Sequence, residues 1–439
     1  MAASAQPAID VTRVLDERAI TPLQALVAVL SGCVMLVDGY DIQVMALAVP
    51  AVAHEWSLTP AHFSYALSAV LLGMSVAAAF LAPLGDRFGR RTMLMGAMTL
   101  IGLATALTAT AASPLEFVLW RLATGIGLGI SIPNCNAWTA EYVPMRTRAT
   151  VLVAMNAAIG IGAFCAGFIA PAIFAHWGWR GAFVLGGAAP LLIGVLIFAA
   201  APESLKFLIV RRPRDPRIPV ILARIAPDLD GTGPFESPLA PPRSGWSLAQ
   251  LLDSTYRRRT LTLWGLVAAN LFVLYVLISW LPTLLNSAGW PLAAALRAAA
   301  LLQAGGVVGG LVLSLFVSRG RTRAALIVGY TTAAVCFALF RGASPALGLL
   351  AVALIGMGTS GTQLALNALS TAYYPPAIKA TGMGWAGVVG NIAAFVAPIA
   401  GGWAIERGFS AVNILAMLSA PALACALGVL AVRREWQWN

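Results

Sequence analysis

The loop Gly85-Asp86-Arg87-Phe88-Gly89-Arg90-Arg91 is a charged segment between two long apolar runs, and it decides the class of fold. The runs cover about 62–84 and 92–112, and about 20 apolar residues are enough for a helix to cross a bilayer. A similar segment, Ser318-Arg319-Gly320-Arg321-Thr322-Arg323, separates two apolar runs later in the chain. This weak internal repeat favours a membrane protein made of two related halves.

The composition agrees with this class. Of the 439 residues, 59% are hydrophobic and only 10% are charged, whereas about a quarter of a soluble domain is charged. Twelve apolar runs are long enough to be spans, at about 23–50, 62–84, 92–112, 114–137, 149–174, 180–200, 260–285, 293–317, 324–341, 345–370, 382–404 and 410–432. We therefore predict an all-α membrane protein with twelve transmembrane helices in two six-helix halves.

The breaks between the runs divide the chain into five parts. We predict a cytoplasmic amino-terminal tail (1–22), an amino-terminal six-helix bundle (23–200), a cytoplasmic linker (201–259), a carboxyl-terminal six-helix bundle (260–432) and a cytoplasmic tail (433–439). The linker is rich in proline and arginine, and a surface helix is expected in it near Leu248 to Tyr256.

The net charge of +11 reports on orientation. Of the 28 Lys and Arg residues, 23 fall on the predicted inner side, which is the distribution that orients multi-pass proteins. We expect a protein of the cell (inner) membrane with both termini cytoplasmic. Because topology explains the charge, the expected partner is the lipid bilayer and not nucleic acid.

The sequence offers no metal or cofactor chemistry. The five cysteines lie in apolar stretches without CxxC spacing, and His54, His62 and His176 lack the spacing of metal ligands. No GxxxxGK[ST] segment indicates ATP-driven transport. We therefore expect no cofactor and no metal.

Several segments resemble the major facilitator superfamily. The loop at 85–91 is similar to its signature between spans two and three, and Arg121-Leu122-Ala123-Thr124-Gly125-Ile126-Gly127-Leu128-Gly129 is similar to its span-four motif. Other segments resemble one branch, the aromatic acid:proton symporters: Asp38-Gly39-Tyr40-Asp41, Pro133-Asn134, Glu141-Tyr142, Pro202-Glu203-Ser204, Ser279-Trp280-Leu281-Pro282-Thr283, Gly361-Thr362-Gln363 and Ala380-Thr381-Gly382-Met383-Gly384-Trp385.

This resemblance implies a proton-coupled secondary transporter, not an enzyme. We expect the protein to be a monomer. It would import a small aromatic carboxylate, of the hydroxybenzoate or phenylpropanoid type, by alternating access. One departure from the branch is Gly390-Asn391, where the branch pattern has an arginine after the glycine. The sequence thus leaves open how the substrate carboxylate is bound.

Three charged residues lie well inside predicted spans and are the candidates for proton coupling. Asp38 and Asp41 are spaced i, i+3, so they share one face of span one, and each costs roughly 2.5–3.5 kcal/mol to insert. Two adjacent carboxylates in a low dielectric disfavour double ionisation, which suits a proton carrier. Arg121 either balances one of these aspartates or binds an anionic substrate. The alternative for the aspartates is that one merely caps or pairs with a neighbouring span.

A second cluster is predicted to form a cytoplasmic gate. Glu141 is 20 residues beyond Arg121, about 30 Å along a helix, so it belongs with the charged loop instead. The gate residues are Gly85, Asp86, Arg87, Gly89, Arg90, Glu141 and Arg146. Simple positive-inside anchoring is the alternative, although it explains only the arginines.

Polar and aromatic residues within spans are the candidates for the substrate pocket. Aromatic rings can stack on a substrate ring, and amides can bind a carboxylate or hydroxyl. The predicted set is Asp41, Tyr275, Trp280, Gln363, Asn367, Trp385 and Asn391. The alternative is that these residues join helices or anchor them at the membrane interface.

Other functions stay open at this point. The substrate could be another small organic anion such as nicotinate, or the protein could be a drug/proton efflux antiporter. A membrane enzyme or a sensor that binds without transporting is a different class, and the few intramembrane charges give it little support.

Overall fold

The computed structural model describes residues 9–228, 235–236, 251–254, 256–340, 345–374 and 378–432. Within them, eleven helices are long and apolar enough to cross a membrane. The longest, Met145–Ala200, has 56 residues and is broken at Gly178, where φ is 62°. It therefore supplies spans 5 and 6, and the prediction of twelve transmembrane helices is confirmed.

The spans follow the chain in order. The first four are Pro22–Glu55, Pro60–Phe88, Arg90–Thr108 and Pro114–Tyr142, and spans 7 to 12 are Arg257–Ser287, Leu292–Ser318, Thr322–Leu339, Leu347–Ser370, Thr381–Glu406 and Ala411–Leu430. Within span 2, short 3₁₀ turns at Pro60–Phe63 and Ala82–Leu84 flank the helix Ser64–Phe80, and Gly85–Phe88 forms a last helical turn. Span 10 contains a π-helical turn at Met357–Gly361.

Local sequence explains where the first spans begin. Thr21 caps span 1 by a reciprocal capping box with Gln24, and Pro22 occupies the first helical position. Ser113 caps span 4 through a single hydrogen bond, which its hydroxyl accepts from the amide of Glu116.

Glycines allow neighbouring spans of the first half to touch through their backbones. A Cβ atom on Gly39 would lie 2.0 Å from the carbonyl oxygen of Ile159, and one on Gly125 would lie 2.2 Å from that of Val70. Spans 1 and 5, and spans 2 and 4, are therefore in the close contact that only small residues permit in membranes.

The apolar core is divided differently at the two ends of the bundle. At the end opposite the charged loops, one cluster contains residues of both halves, from Val44 to Phe183 and from Val273 to Ala422. At the charged end there are two clusters, one drawn from residues 11–226 and the other from residues 251–432. The two halves thus share an apolar core at one end of the bundle, and each has its own core at the other end.

Part of the predicted linker packs on the first half. Two short helices, Leu205–Arg211 and Arg217–Ile225, which were not predicted from the sequence, join the tail helix Val11–Glu17 in the first-half cluster. Strand Ile9–Asp10 pairs in parallel with strand Phe235–Glu236. The surface helix predicted near Leu248 to Tyr256, and the tail 433–439, lie largely or wholly outside the described residues.

Candidate functional site

A buried ion pair joins spans 1 and 4. Arg121 Nη1 lies 3.1 Å from Asp41 Oδ2, and neither side chain is exposed. Arg121 Nη2 donates to Thr124 (2.8 Å) and Thr105 (2.9 Å), and Thr105 in turn donates to Asp41. The guanidinium also lies over the ring of Phe183, 5.3 Å from its centroid. Two opposite charges are thus held by side chains of spans 1, 3, 4 and 6.

Asp38, the second aspartate of span 1, has a different environment. It is fully buried, and its Oδ2 accepts from Ser131 Oγ at 2.8 Å. Its Oδ1 has no hydrogen-bond partner among the described residues. A buried carboxylate oxygen without a donor is costly, and it is uncommon enough in native structures to indicate function.

A cavity of about 130 Å³ lies between the halves. Spans 2 and 4 contribute one wall, and spans 7 and 11 contribute Tyr275 and Asn391 to the other; the full lining is Leu71, Met74, Ser75, Ala78, Leu128, Gly129, Ile132, Pro133, Tyr275, Asn391 and Ala394. A smaller cavity of about 20 Å³ shares Leu71 and Tyr275 with it. Because a protein cavity of about 150 Å³ holds benzene, this space has the size of one aromatic ring.

Trp280 occupies a packing position instead. It is fully buried, and its Nε1 donates to the carbonyl of Pro398 at 2.9 Å. A Cβ on Gly401 would lie 2.4 Å from the indole Cδ1. The side chain therefore fastens span 7 to span 11 and does not line the cavity.

The amides of spans 7 and 10 form a chain. Asn270 Nδ2 donates to Gln363 Oε1 (2.6 Å), and Gln363 Nε2 donates to Asn367 Oδ1 (3.0 Å). The chain starts beside the π-helical turn of span 10, a feature that often marks functional sites. Asn270 was missed by the sequence analysis, although it is an amide in a predicted span. Trp385 lies apart, beside Trp264 at 6.4 Å between ring centroids.

Three of the predicted gate residues meet at the charged end of the bundle. Arg90 forms ion pairs with Asp86 and with Glu141, the latter at 3.4 Å, and Glu141 also accepts from Ser204 Oγ. Arg90 Nη1 reaches Asn134 Oδ1 at 3.4 Å. These contacts tie together the ends of spans 2, 3 and 4 and the start of the first linker helix.

Two predicted gate arginines do not join this cluster. Arg87 lies over the ring of its neighbour Phe88, 5.5 Å from the centroid. Arg146 donates to the backbone carbonyl of Arg18 at 2.9 Å and so holds the amino-terminal segment.

Glu203 completes the cluster and was not predicted as a site residue. It is only 5% exposed, and its Oε1 accepts from the amides of Arg91 (3.0 Å) and Ser204 (2.9 Å). Thr92 Oγ1 donates to the other oxygen at 3.4 Å. The carboxylate therefore caps span 3, where amide groups have no helical partner.

The glycines of the loop are required by this arrangement. Gly89 has a φ of 100°, and a Cβ there would lie 2.3 Å from Glu203 Oε2. At Gly85 a Cβ would lie 1.9 Å from Asn134 Oδ1. Side chains are thus excluded at both positions by the groups that bind the loop. Among the described residues, no group of three His, Cys, Asp or Glu side chains could hold a metal ion.

Comparison with known proteins identifies the family. The family model of the Major Facilitator Superfamily matches residues 32–398. A gallate transporter of Pseudomonas putida is 32% identical over 96% of this chain and 95% of its own length. The 4-hydroxybenzoate transporter PcaK of Acinetobacter baylyi is 31% identical over 97% of this chain and 95% of its own.

A solved structure shares the fold. The xylose transporter XylE from E. coli, in an inward open conformation, superposes with a TM-score of 0.71 at 17% identity, covering 93% of this chain and 95% of that one. The resemblance to aromatic acid transporters drawn from the motifs is confirmed by the relatives. The chain belongs to the Major Facilitator Superfamily and is a membrane transporter, not an enzyme.

Proposed function

We propose that this chain imports a small aromatic carboxylate together with protons, by alternating access across the cell inner membrane. The observation that carries the proposal is the buried set of Asp38, Asp41 and Arg121, in which Arg121 pairs with Asp41 and Asp38 has no ion-pair partner among the described residues. We further propose that it works as a monomer with both termini in the cytoplasm.

Charge balance gives each residue of the set a role. Arg121 compensates one carboxylate, Asp41, through the ion pair. A second buried charge without a partner would be strongly unfavourable, so the set is neutral only when one proton is bound. Asp38 Oδ1, which has no donor in the described structure, is the position available for that proton. Binding and release of this proton would couple the two halves to the proton gradient.

The central cavity supports an aromatic substrate. Its volume suits one ring, Tyr275 offers a face for stacking, and Asn391 offers an amide for the carboxylate or a ring hydroxyl. The named substrates of the relatives, gallate and 4-hydroxybenzoate, are hydroxylated benzoates with one aromatic ring each. The separate cores at the charged end support a state that opens to that side, as alternating access requires.

Uptake into proteoliposomes under an imposed pH gradient tests the proposal. We expect accumulation of labelled gallate or 4-hydroxybenzoate when the outside is acidic, and none of an aliphatic acid of similar charge. Accumulation that is equal with and without the gradient would refute proton coupling. Accumulation of nicotinate alone would refute the hydroxybenzoate assignment and leave coupling intact.

Matched variants test the residues. Asp38→Asn and Asp41→Asn should each abolish gradient-driven accumulation, whereas Glu17→Gln, which removes an exposed carboxylate of the tail helix, should not. Asp38→Asn should retain exchange of labelled for unlabelled substrate, because that exchange needs no net proton movement. If both aspartate variants accumulate substrate like the unchanged protein, the assignment fails.

A further inference from the structure

A groove of about 240 Å³ lies at the charged end of the bundle, outside the ion pair, the central cavity and the gate. It runs between the end of span 6 and the second linker helix, Arg217–Ile225. Three arginines line it, Arg91, Arg217 and Arg224, together with the apolar side chains Phe198 and Val220. Neither the transport proposal nor the gate uses it.

The groove carries positive charge that the protein neutralises only in part. Arg224 is exposed, and no carboxylate of the described residues lies within ion-pair distance of it. Within the described residues, the Arg91 side chain donates to backbone carbonyls alone, those of Ile197 (3.4 Å) and Phe198 (2.6 Å). Arg217 is paired with Asp215, at 2.8 Å.

The one carboxylate in the lining, Glu203, offsets only part of this charge, because three arginines line the same groove. Glu203 accepts from the amides of Arg91 and Ser204 and from the hydroxyl of Thr92, so its oxygens are occupied. The groove therefore presents two guanidinium groups, of Arg91 and Arg224, to an anion.

An apolar surface leads away from these guanidinium groups. Phe198 is 64% exposed, and Leu192 and Val195, spaced along the same side of span 6, are each 61% exposed. On the second linker helix, Val220 and Arg224 are one turn apart and face the groove, while Ile218 and Leu222 are buried on the other side. The groove thus places cationic groups where an exposed apolar surface of a membrane span ends.

We propose that this groove binds one anionic phospholipid. The phosphate contacts Arg91 and Arg224, and an acyl chain lies along Phe198 and the exposed side of span 6. Basic pockets at the cytoplasmic ends of spans are suited to such headgroups.

Native mass spectrometry of the purified full-length protein, titrated with phosphatidylglycerol or phosphatidylcholine, tests this assignment. We expect preferential retention of one phosphatidylglycerol. Arg224→Gln should weaken its binding about fivefold, and Arg91→Gln with Arg224→Gln about 25-fold. The matched control is Arg212→Gln with Arg214→Gln, which removes the same charge from exposed positions outside the groove and should leave binding unchanged.

Two further measurements separate the lipid from other anions. Phe198→Ser removes apolar surface without changing charge and should also weaken phosphatidylglycerol binding. Inorganic phosphate should not compete with the lipid at millimolar concentration. Equal retention of the two lipids, equal losses in the groove and control variants, or full competition by phosphate would each overturn the proposal. Because Arg224 is exposed and makes no ion pair in the described structure, Arg224→Gln tests it even if the double variant does not fold.

Discussion

Replacing Glu203 by alanine should be among the most destabilising changes outside the membrane-spanning core. The substitution removes the acceptor of two amide groups, of Arg91 and Ser204, at 3.0 and 2.9 Å. A hydrogen bond to a charged group contributes about 1.5–3 kcal/mol, so the free energy of unfolding should fall by about 3–6 kcal/mol. The free energy of unfolding of a typical domain is only about 5–15 kcal/mol, so a loss of this size should be readily measured.

Thermal unfolding of the purified protein in a mild detergent measures this effect. Glu17→Ala is the matched control, because Glu17 is an exposed carboxylate that pairs with Arg13 on the same tail helix. We expect a clearly lower unfolding temperature and reduced uptake for Glu203→Ala and neither change for Glu17→Ala. Equal unfolding temperatures for the two variants would refute the reasoning.

A double-mutant cycle with Gly89 sharpens the test. Gly89→Ala alone should be destabilising for two reasons, the φ of 100° and the 2.3 Å approach of its Cβ to Glu203 Oε2. The backbone conformation accounts for about 1–3 kcal/mol. In the Glu203→Ala background only that part remains, so the double variant should be less destabilised than the sum of the single variants. Strict additivity would show that the two residues do not interact.

Two further predictions concern helix packing and pH. In Gly39→Ala the new methyl group must displace the Ile159 carbonyl, so the unfolding temperature and the uptake should both fall. Gly32→Ala is the control and should change neither, because a Cβ there meets nothing within 4 Å. Equal effects of the two variants would contradict the packing argument. Hydrogen bonding to Arg18 lowers the pKa of Asp228 from 3.8 to about 2, so this tie contributes stability above about pH 4 and loses it as the pH falls through about 2. Pepsin cleavage of the amino-terminal segment should increase over that interval in the unchanged protein, and it should be faster at about pH 4 in Asp228→Asn; identical cleavage of the two proteins there would contradict the tie.

The spans and the intramembrane charges could be predicted from sequence because both depend on local composition. A run of apolar residues identifies a span by itself, and Arg121 stands out because few charges interrupt those runs. The pairing of Arg121 with a span-one aspartate was one of two alternatives. Only the structure shows that the partner is Asp41 and not Asp38. The choice depends on span 3, whose Thr105 accepts from Arg121 and donates to Asp41.

The site residues that could not be predicted from sequence have roles set by contacts with residues far away along the chain. Glu203 follows a proline after span 6, and nothing in its neighbourhood reports that it caps span 3, more than 100 residues earlier. Trp280 was assigned to the pocket by residue type, but span 7 is apolar on most sides, so its sequence does not reveal which face meets span 11. The first linker helix, of seven residues, is too short for periodicity to identify it. The second could have been predicted, because Ile218, Ile221, Leu222 and Ile225 stand at i, i+3, i+4 and i+7.

The packing of the linker helices on the first half bears on how the protein is made. The first-half cluster is complete once Ala226 has been synthesised, whereas span 7 begins only at Arg257. At roughly 5–20 residues per second, the ribosome needs roughly 2–6 s to reach that point. The amino-terminal bundle can therefore acquire its own core at the charged end during translation, before the second half competes for its apolar surfaces.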